Sequence, residues 1–300
     1  MSEGMAGLQR KIGSAADLQS VVRTMKALAA SSIGQYEQSL RALADYSRTV
    51  ELGLGACFRQ HPPAAEDGKA HSAASGVRGV IVFGSDQGLV GQFNDVVADH
   101  TLQALAALPG PLEIWAVGER VHARLLDAGL APQGLFGVPG SVKAIAPLVG
   151  QLQLELEGRR SLDSYASVHV FHNRPDARGL YAPVGQRLLP LDAQWQQGLA
   201  SVPWPAKNLP QVLHGALTLR ALIREYLFIS LFRACAESLS SENASRLAAM
   251  ERADQNIDEL LEALQAHFHR LRQSTIDEEL FDVIASYELL GQQAAPRPAP

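Results

Sequence analysis

One stretch of 75 residues, Ala216 to Leu290, contains neither glycine nor proline and constrains the fold more than any other feature. The chain has 25 Gly and 16 Pro in all, so composition alone does not explain this gap. The stretch is rich in good helix formers and would make a rod on the order of 110 Å long. An ordinary globular helix has 8–20 residues, so this length favours a coiled coil over the alternative, a core helix of a bundle.

Apolar residues recur every three or four positions in two long segments, one near each terminus. This spacing is that of one helix face. Neither segment contains an internal repeat, which argues against a solenoid. The apolar positions begin Leu8, Ile12, Ala15, Leu18, Val22 in the first segment and Leu247, Met250, Ala253, Ile257 in the second. We therefore predict long helices at both ends that pair with each other.

The chain between these helices has a different pattern of apolar and glycine residues. Short apolar runs bounded by glycine alternate with segments of helical spacing, which indicates a βαβ layout and a mostly parallel sheet. The fold class predicted is α/β plus a long antiparallel coiled coil, with a Rossmann-like central domain. The predicted segments are a helix over 1–58, a linker over 59–76, the α/β domain over 77–207, a second helix over 208–290 and a disordered tail over 291–300.

Charge and composition exclude several classes of protein. The chain has 26 basic and 31 acidic residues, a net charge of −5, and no broad basic surface for nucleic acid. Cys57 and Cys235 are the only cysteines and are far apart, so a disulfide framework is not indicated. No apolar stretch approaches the ~20 residues of a membrane span. The N-terminus lacks the pattern of a signal peptide, so we expect membrane association only through partners.

A glycine-rich turn follows the first predicted strand, where a phosphate-binding loop would lie. Its glycines, Gly84, Gly88 and Gly91, have the spacing GxxxGxxG, which is neither the P-loop nor the dinucleotide pattern. Asp86 would place a negative charge beside any phosphate. We therefore favour a structural strand-to-helix turn over a nucleotide site.

The other candidate chemical groups point to no active site. His169 and His172 would face opposite sides of a strand, and His267 and His269 diverge on a helix, so neither pair suits a metal. No nucleophile motif is present. We predict no catalytic, cofactor-binding or metal-binding residues and no cofactor. The charges of the long C-terminal helix, including the i, i+4 pair Glu242 and Arg246, are explained by a solvated face.

Three motifs, in order along the chain, resemble the gamma subunit of F-type ATP synthases. The C-terminal motif is the most specific, and within it Glu242, Arg246 and Gln273 match signature positions. The N-terminal motif is Met25-Lys26 with Ala29-Ala30-Ser31. The middle one is the turn Ser85 to Asn94. The remaining C-terminal matches are Ala249, Met250, Ala253, Asn256, Arg272, Ile276, Glu279 and Leu280.

This sequence departs from the family pattern at several motif positions, which marks it as a divergent member. Ser32 replaces the usual Lys, and Asp277 stands where many members have Thr. In the middle turn, Gln87, Val90 and Gln92 replace Arg, Cys and Gly.

The resemblance implies a non-catalytic rotor shaft that couples ion flow to ATP synthesis or hydrolysis. The terminal helices would pair inside a hexamer of alpha and beta subunits, and the α/β domain would contact the c-ring and the epsilon subunit. The complex would lie at the cytoplasmic face of the cell membrane. The implied subunit contacts are Met25, Lys26, Glu242, Arg246, Gln273, Asp277 and Glu279. A dinucleotide-binding enzyme and a coiled-coil scaffold without a motor role are the alternatives.

Overall fold

A computed structural model describes residues 4–60, 76–108, 110–159, 162–177, 180–208, 211–212 and 214–293. Residues 61–75 of the predicted linker and 294–300 of the predicted tail lie outside the described residues. The chain forms two compact units: the first comprises 1–27 and 250–300, the second 28–249. The predicted segment boundaries remain predictions.

The described elements follow one another as two long helices around an alternating α/β region. The N-terminal helix has 56 residues and the C-terminal helix has 79, and both cover nearly the ranges that the sequence predicts to be helical. In chain order the elements are α1 (Met5–Gln60), β1 (Arg78–Phe83), α2 (Phe93–Ala106), β2 (Leu112–Val117), α3 (Glu119–Asp127), β3 (Gly134–Phe136), α4 (Val142–Arg159), a 3-10 turn (Leu162–Ser164), β4 (Ser167–Arg174), β5 (Ala182–Leu189), α5 (Ala193–Ser201) and α6 (Gly215–Gln293).

The first unit is an antiparallel helix pair with a narrow apolar seam. On α1 the buried positions Leu8, Ala15 and Val22 are seven residues apart, and on α6 Met250 and Ile257 have the same spacing. This heptad spacing is that of a left-handed coiled coil. The predicted pairing of the terminal helices is confirmed.

The second unit contains a five-stranded sheet in the order β3-β2-β1-β4-β5. Strands β1 to β4 are parallel, and β5 pairs antiparallel with β4. All six residues of β1 are buried, as expected for a central parallel strand covered on both faces. The mostly parallel sheet predicted from the sequence is confirmed.

Two apolar cores cover the two faces of this sheet. Helices α2 and α3 pack on one face, around Val97 and Val121. Helix α4 and the parts of α1 and α6 that belong to the second unit pack on the other, around Tyr36, Leu152 and Leu231. Burial of each large apolar side chain contributes about 1.5–3 kcal/mol, so the second of these cores attaches the long helices to the sheet.

A third cluster joins the ends of the long helices that belong to the second unit. Val50, Leu54 and Phe58 of α1 pack with Leu191 and with side chains of α5 and α6. Gly55 makes this close approach possible, because a Cβ there would lie 2.5 Å from the carbonyl oxygen of Leu199. Helix α5 therefore rests directly against the backbone of α1.

Candidate functional site

The helix pair of the first unit is held at its polar margin by ion pairs and hydrogen bonds. Arg23 Nε lies 3.1 Å from Asp254 Oδ1, and Lys26 Nζ lies 3.9 Å from both Glu251 and Asp254. Gln19 Nε2 donates to Asp254 and to Asp258. Most of these groups are half-exposed, so each pair contributes only about 0–1 kcal/mol. The seam therefore combines a narrow row of apolar residues with weak polar contacts.

The register of this pair shows how far α6 extends beyond α1. The residue numbers of partners sum to 273 for Gln19 with Asp254 and to 281 for Arg23 with Asp258. At a sum near 277, Met5 at the start of α1 lies level with about residue 272 of α6. The residues of α6 after that point run past the first described turn of α1.

This projecting part of α6, residues 273–286, carries exposed apolar side chains. Their exposed fractions range from 45% to 69%. A monomeric protein rarely leaves such large apolar residues together in water, so the segment has the character of an interaction surface. The residues are Ile276, Leu280, Phe281, Val283 and Ile284.

The predicted contact residues fall into two groups. Gln273, Asp277 and Glu279 are exposed on the projecting segment, and Met25 and Lys26 are half-buried on α1 of the first unit. Glu242 and Arg246 lie instead in the second unit and contact each other. The seven predicted contact residues are therefore divided between the two units.

Glu242 and Arg246 form a buried pair one helical turn apart. Arg246 Nη2 donates to Glu242 Oε1 at 2.6 Å, and the two side chains are 13% and 7% exposed. Burial raises the pKa of Glu242, and the Arg246 charge offsets this only in part. Glu242 Oε2 and Arg246 Nε have no hydrogen-bond partner among the described residues. The expectation that these charges form a solvated face is wrong, because α6 packs into the second unit here.

Glu237, which was not predicted as a site residue, connects α6 to strand β4. Its Oε2 lies 2.7 Å from both His172 Nε2 and Arg174 Nε. Burial alone would raise the pKa of this carboxyl, but the hydrogen bonds and charges of His172 and Arg174 hold it below its ordinary value. The only hint of this role in the sequence is that Glu237 is an acidic residue within a run of small residues, and the structure shows that run to be largely buried.

The glycine turn after β1 places a carboxylate, that of Asp86, against two backbone N–H groups. Asp86 accepts hydrogen bonds from the backbone N–H of Glu119 at 3.0 Å and of Val138 at 2.8 Å. Glu119 begins α3, so Asp86 binds the N-terminus of α3, which is not the helix that directly follows the turn. At Gly84 a Cβ would lie 2.3 Å from the Cβ of Val121, so this glycine serves close packing. The prediction of a structural turn agrees with this geometry.

The histidines and cysteines serve the fold. His172 is 1% exposed, while His169 stacks with Phe171 toward the other face of the sheet, as predicted for this spacing. Both cysteines are buried and unbonded, and burial raises the pKa of each thiol. Within the part of the chain that is described, no group of three or more His, Cys, Asp or Glu is placed to hold a metal ion.

None of the helices that the structure describes combines the length and the apolar character that a bilayer span requires.

These observations define a class of protein with two kinds of unit: an antiparallel pair of long helices and an α/β unit with a mostly parallel sheet. The family model described as ATP synthase matches residues 4–290, which is nearly the whole chain. The chain belongs to this ATP synthase family.

Known proteins agree with that assignment. The ATP synthase gamma chain of Paraburkholderia phytofirmans is 24% identical over 294 residues, which cover 94% of this chain and 97% of that relative. The rotor of the Euglena gracilis mitochondrial ATP synthase contains a chain with a TM-score of 0.60 and 14% identity, covering 91% of this chain and 98% of that one. The central stalk and c-ring structure of the Tetrahymena thermophila enzyme contains another, with a TM-score of 0.54 and 20% identity, covering 78% and 99%.

Proposed function

We propose that this chain is the gamma subunit of an F-type ATP synthase, a non-catalytic rotor that transmits torque between a membrane c-ring and a hexamer of alpha and beta subunits. The observation that carries the proposal is the 79-residue helix α6, whose projecting segment exposes apolar side chains in a chain of this family. Such a segment is suited to insertion into a partner. The curated relatives are gamma chains along nearly their full length, which supports the same assignment.

In this proposal the phosphoryl chemistry belongs to the partners. The turn that most resembles a phosphate site carries the acidic Asp86, whose charge disfavours a phosphate there and argues against the alternative of a dinucleotide enzyme. A pure scaffold would need no rotation, whereas the weak polar margin of the helix pair suits a shaft that turns within a sleeve. Each catalytic site would change its nucleotide affinity because the turning shaft contacts each conformation differently.

The proposed subunit contacts follow the two groups of residues. Met25 and Lys26 would contact the beta subunits through the margin of the helix pair, and Gln273, Asp277 and Glu279 would contact the inner wall of the hexamer. Arg246 would reach a partner through its small exposed part, with Glu242 holding its guanidinium. The α/β domain would contact the c-ring and the epsilon subunit. The complex would lie at the cytoplasmic face of the cell membrane.

Co-expression of this chain with the alpha and beta subunits of the same source tests the assignment. We expect a single complex whose ATPase activity requires this chain. A hexamer that assembles and hydrolyses ATP equally well without the chain would contradict the proposal. Nucleotide binding by the isolated chain would then become the next measurement.

A paired substitution on the projecting segment tests the contacts. We expect Gln273→Ala combined with Asp277→Ala to lower the turnover of the assembled complex, because both side chains are exposed and free to meet a partner. Glu262→Ala is the matched control, since Glu262 is also an exposed residue of α6 but lies before the projecting segment. Equal turnover in both variants would remove these residues from the proposed contact set.

A further inference from the structure

Strand β4 and helix α6 meet at a buried charged group in the second unit. Glu237 accepts two hydrogen bonds of 2.7 Å on one carboxylate oxygen, from His172 and Arg174. The side chain of His172 is 1% exposed and that of Glu237 is 13% exposed. Hydrogen bonds to an ionised group are shorter and about twice as strong as neutral ones, and low exposure protects the one between His172 and Glu237 from screening by salt.

The same face of α6 makes two more polar contacts with the α/β region. Ser241 Oγ donates to the carbonyl of Asn173 at 3.2 Å, and Ser245 Oγ donates to the carbonyl of Val90 at 2.6 Å. Glu237, Ser241 and Ser245 are spaced by four residues and so lie along one line on the helix. We call these three residues the anchor row.

Two other contacts between α6 and the α/β region differ from the anchor row. Apolar packing around Leu231 is non-directional, so by itself it resists rotation of a helix about its axis only weakly. The bidentate pair of Arg224 with Glu157, at 2.8 and 2.6 Å, is directional, but its side chains are 62% and 27% exposed. An exposed pair of this kind contributes little. The anchor row is directional and its side chains are less exposed, with Glu237 at 13% and both Ser241 and Ser245 buried.

Rotation of α6 by a single residue about its axis would swing the carboxylate of Glu237 through about 100° and break both of its hydrogen bonds. It would also leave His172 buried without its partner, which is costly. The backbone of Asn173 is fixed in turn, because its side chain donates to the carbonyl of Phe93 at 2.8 Å. The strand that receives the anchor is therefore itself held to α2.

We propose that Glu237 is a positioning residue that locks α6 against turning relative to the α/β domain, so that torque passes between them. This inference rests on the proposed rotor function. The residue touches no nucleotide in this proposal. It acts by making the helix and the domain turn as one body.

The test measures the torsional stiffness of the assembled complex. The hexamer is fixed to a surface, and a bead is attached to the α/β domain through Lys143→Cys, an exposed position on α4. Both native cysteines are buried, so the added thiol is the accessible one. The angular variance of the bead is recorded during pauses in ATP-driven rotation. We expect Glu237→Gln to increase this variance.

Glu157→Gln is the matched control, because it removes the exposed contact between the same helix and the same domain. We expect it to leave the angular variance unchanged. Equal variance for wild type and Glu237→Gln would overturn the anchor proposal while leaving the rotor function intact. A wild-type bead that does not rotate would overturn both.

A second variant keeps the test decisive if Glu237→Gln fails to assemble. Arg174 is 45% exposed, so Arg174→Gln removes one of the two hydrogen bonds without opening a buried site. We expect a smaller increase in angular variance than complete loss of the anchor would give. A variance equal to that of the wild type in an assembled Arg174→Gln complex would overturn the proposal.

Discussion

The buried pair of Glu242 and Arg246 predicts a large and pH-dependent loss of stability when its cation is removed. In Arg246→Met the carboxylate of Glu242 stays buried without its partner. Breaking a buried pair in this way costs about 3–5 kcal/mol. In urea, with an m-value of about 2 kcal/mol/M, this loss lowers the unfolding midpoint of the full chain by roughly 2 M.

The pH dependence of this variant has a definite sign. Burial already raises the pKa of Glu242 in the wild type, and loss of the Arg246 charge raises it further. A folded state with the higher pKa binds more protons than the unfolded chain. Its stability therefore falls as pH rises from the unfolded pKa to the folded one, by at most about 1.4 kcal/mol per pH unit. We expect the deficit of Arg246→Met to shrink as the pH is lowered.

A double variant separates lost charge pairing from lost packing. Glu242→Leu combined with Arg246→Met replaces the pair by apolar side chains, which is often neutral or stabilising. We expect this double variant to unfold close to the wild-type urea midpoint. A deficit of Arg246→Met that does not change with pH, together with a double variant that is no better, would refute the reasoning.

Three further predictions concern stability. Gly55→Ala should destabilise the chain by about 1–3 kcal/mol in urea unfolding, because its Cβ would clash with the Leu199 carbonyl. Gly13→Ala should instead stabilise the chain by up to about 1 kcal/mol, because a Cβ at this position of α1 meets no other atom. Asp86→Ala should cost about 1–3 kcal/mol by leaving two backbone N–H groups unpaired, with Asp86→Asn less harmful in the same assay. The pKa of Glu237 lies below its ordinary value of 4.5, so its contribution to the free energy of unfolding is complete above that pH and is lost as the pH falls through the folded pKa. The difference in unfolding free energy between wild type and Glu237→Gln should therefore vanish in acid. A difference that stays constant with pH would contradict this assignment.

The long helices and the central strands could be predicted because their signals are local. The absence of breakers from Ala216 to Leu290 and the apolar run of β1 each extend over enough residues to stand out. Strand β3 has only three residues, and α5 has no fully buried residue, so neither gives a periodic pattern. The antiparallel direction of β5 depends on pairing with β4, which no local pattern records.

The site was predictable only where matching family motifs carried it. Gln273 and Asp277 are exposed on the projecting segment, as a contact surface requires, but their contacts remain predictions. The burial of Arg246 could not be read from the sequence, because an i, i+4 ion pair has the same spacing on a solvated face. Glu237 was missed for a related reason: its partners His172 and Arg174 are more than 60 residues earlier in the chain.

The antiparallel pairing of the first unit has a consequence for synthesis of the chain. Residues 1–27 find their partners only at 250–300, about 220 residues later. At 5–20 residues per second a ribosome needs about 10–45 s to cover that distance. During this interval Leu8, Ala15 and Val22 cannot pack against α6, because that part of α6 has not yet been synthesised. The apolar face of the nascent N-terminal segment therefore stays exposed until the last part of the chain has been synthesised.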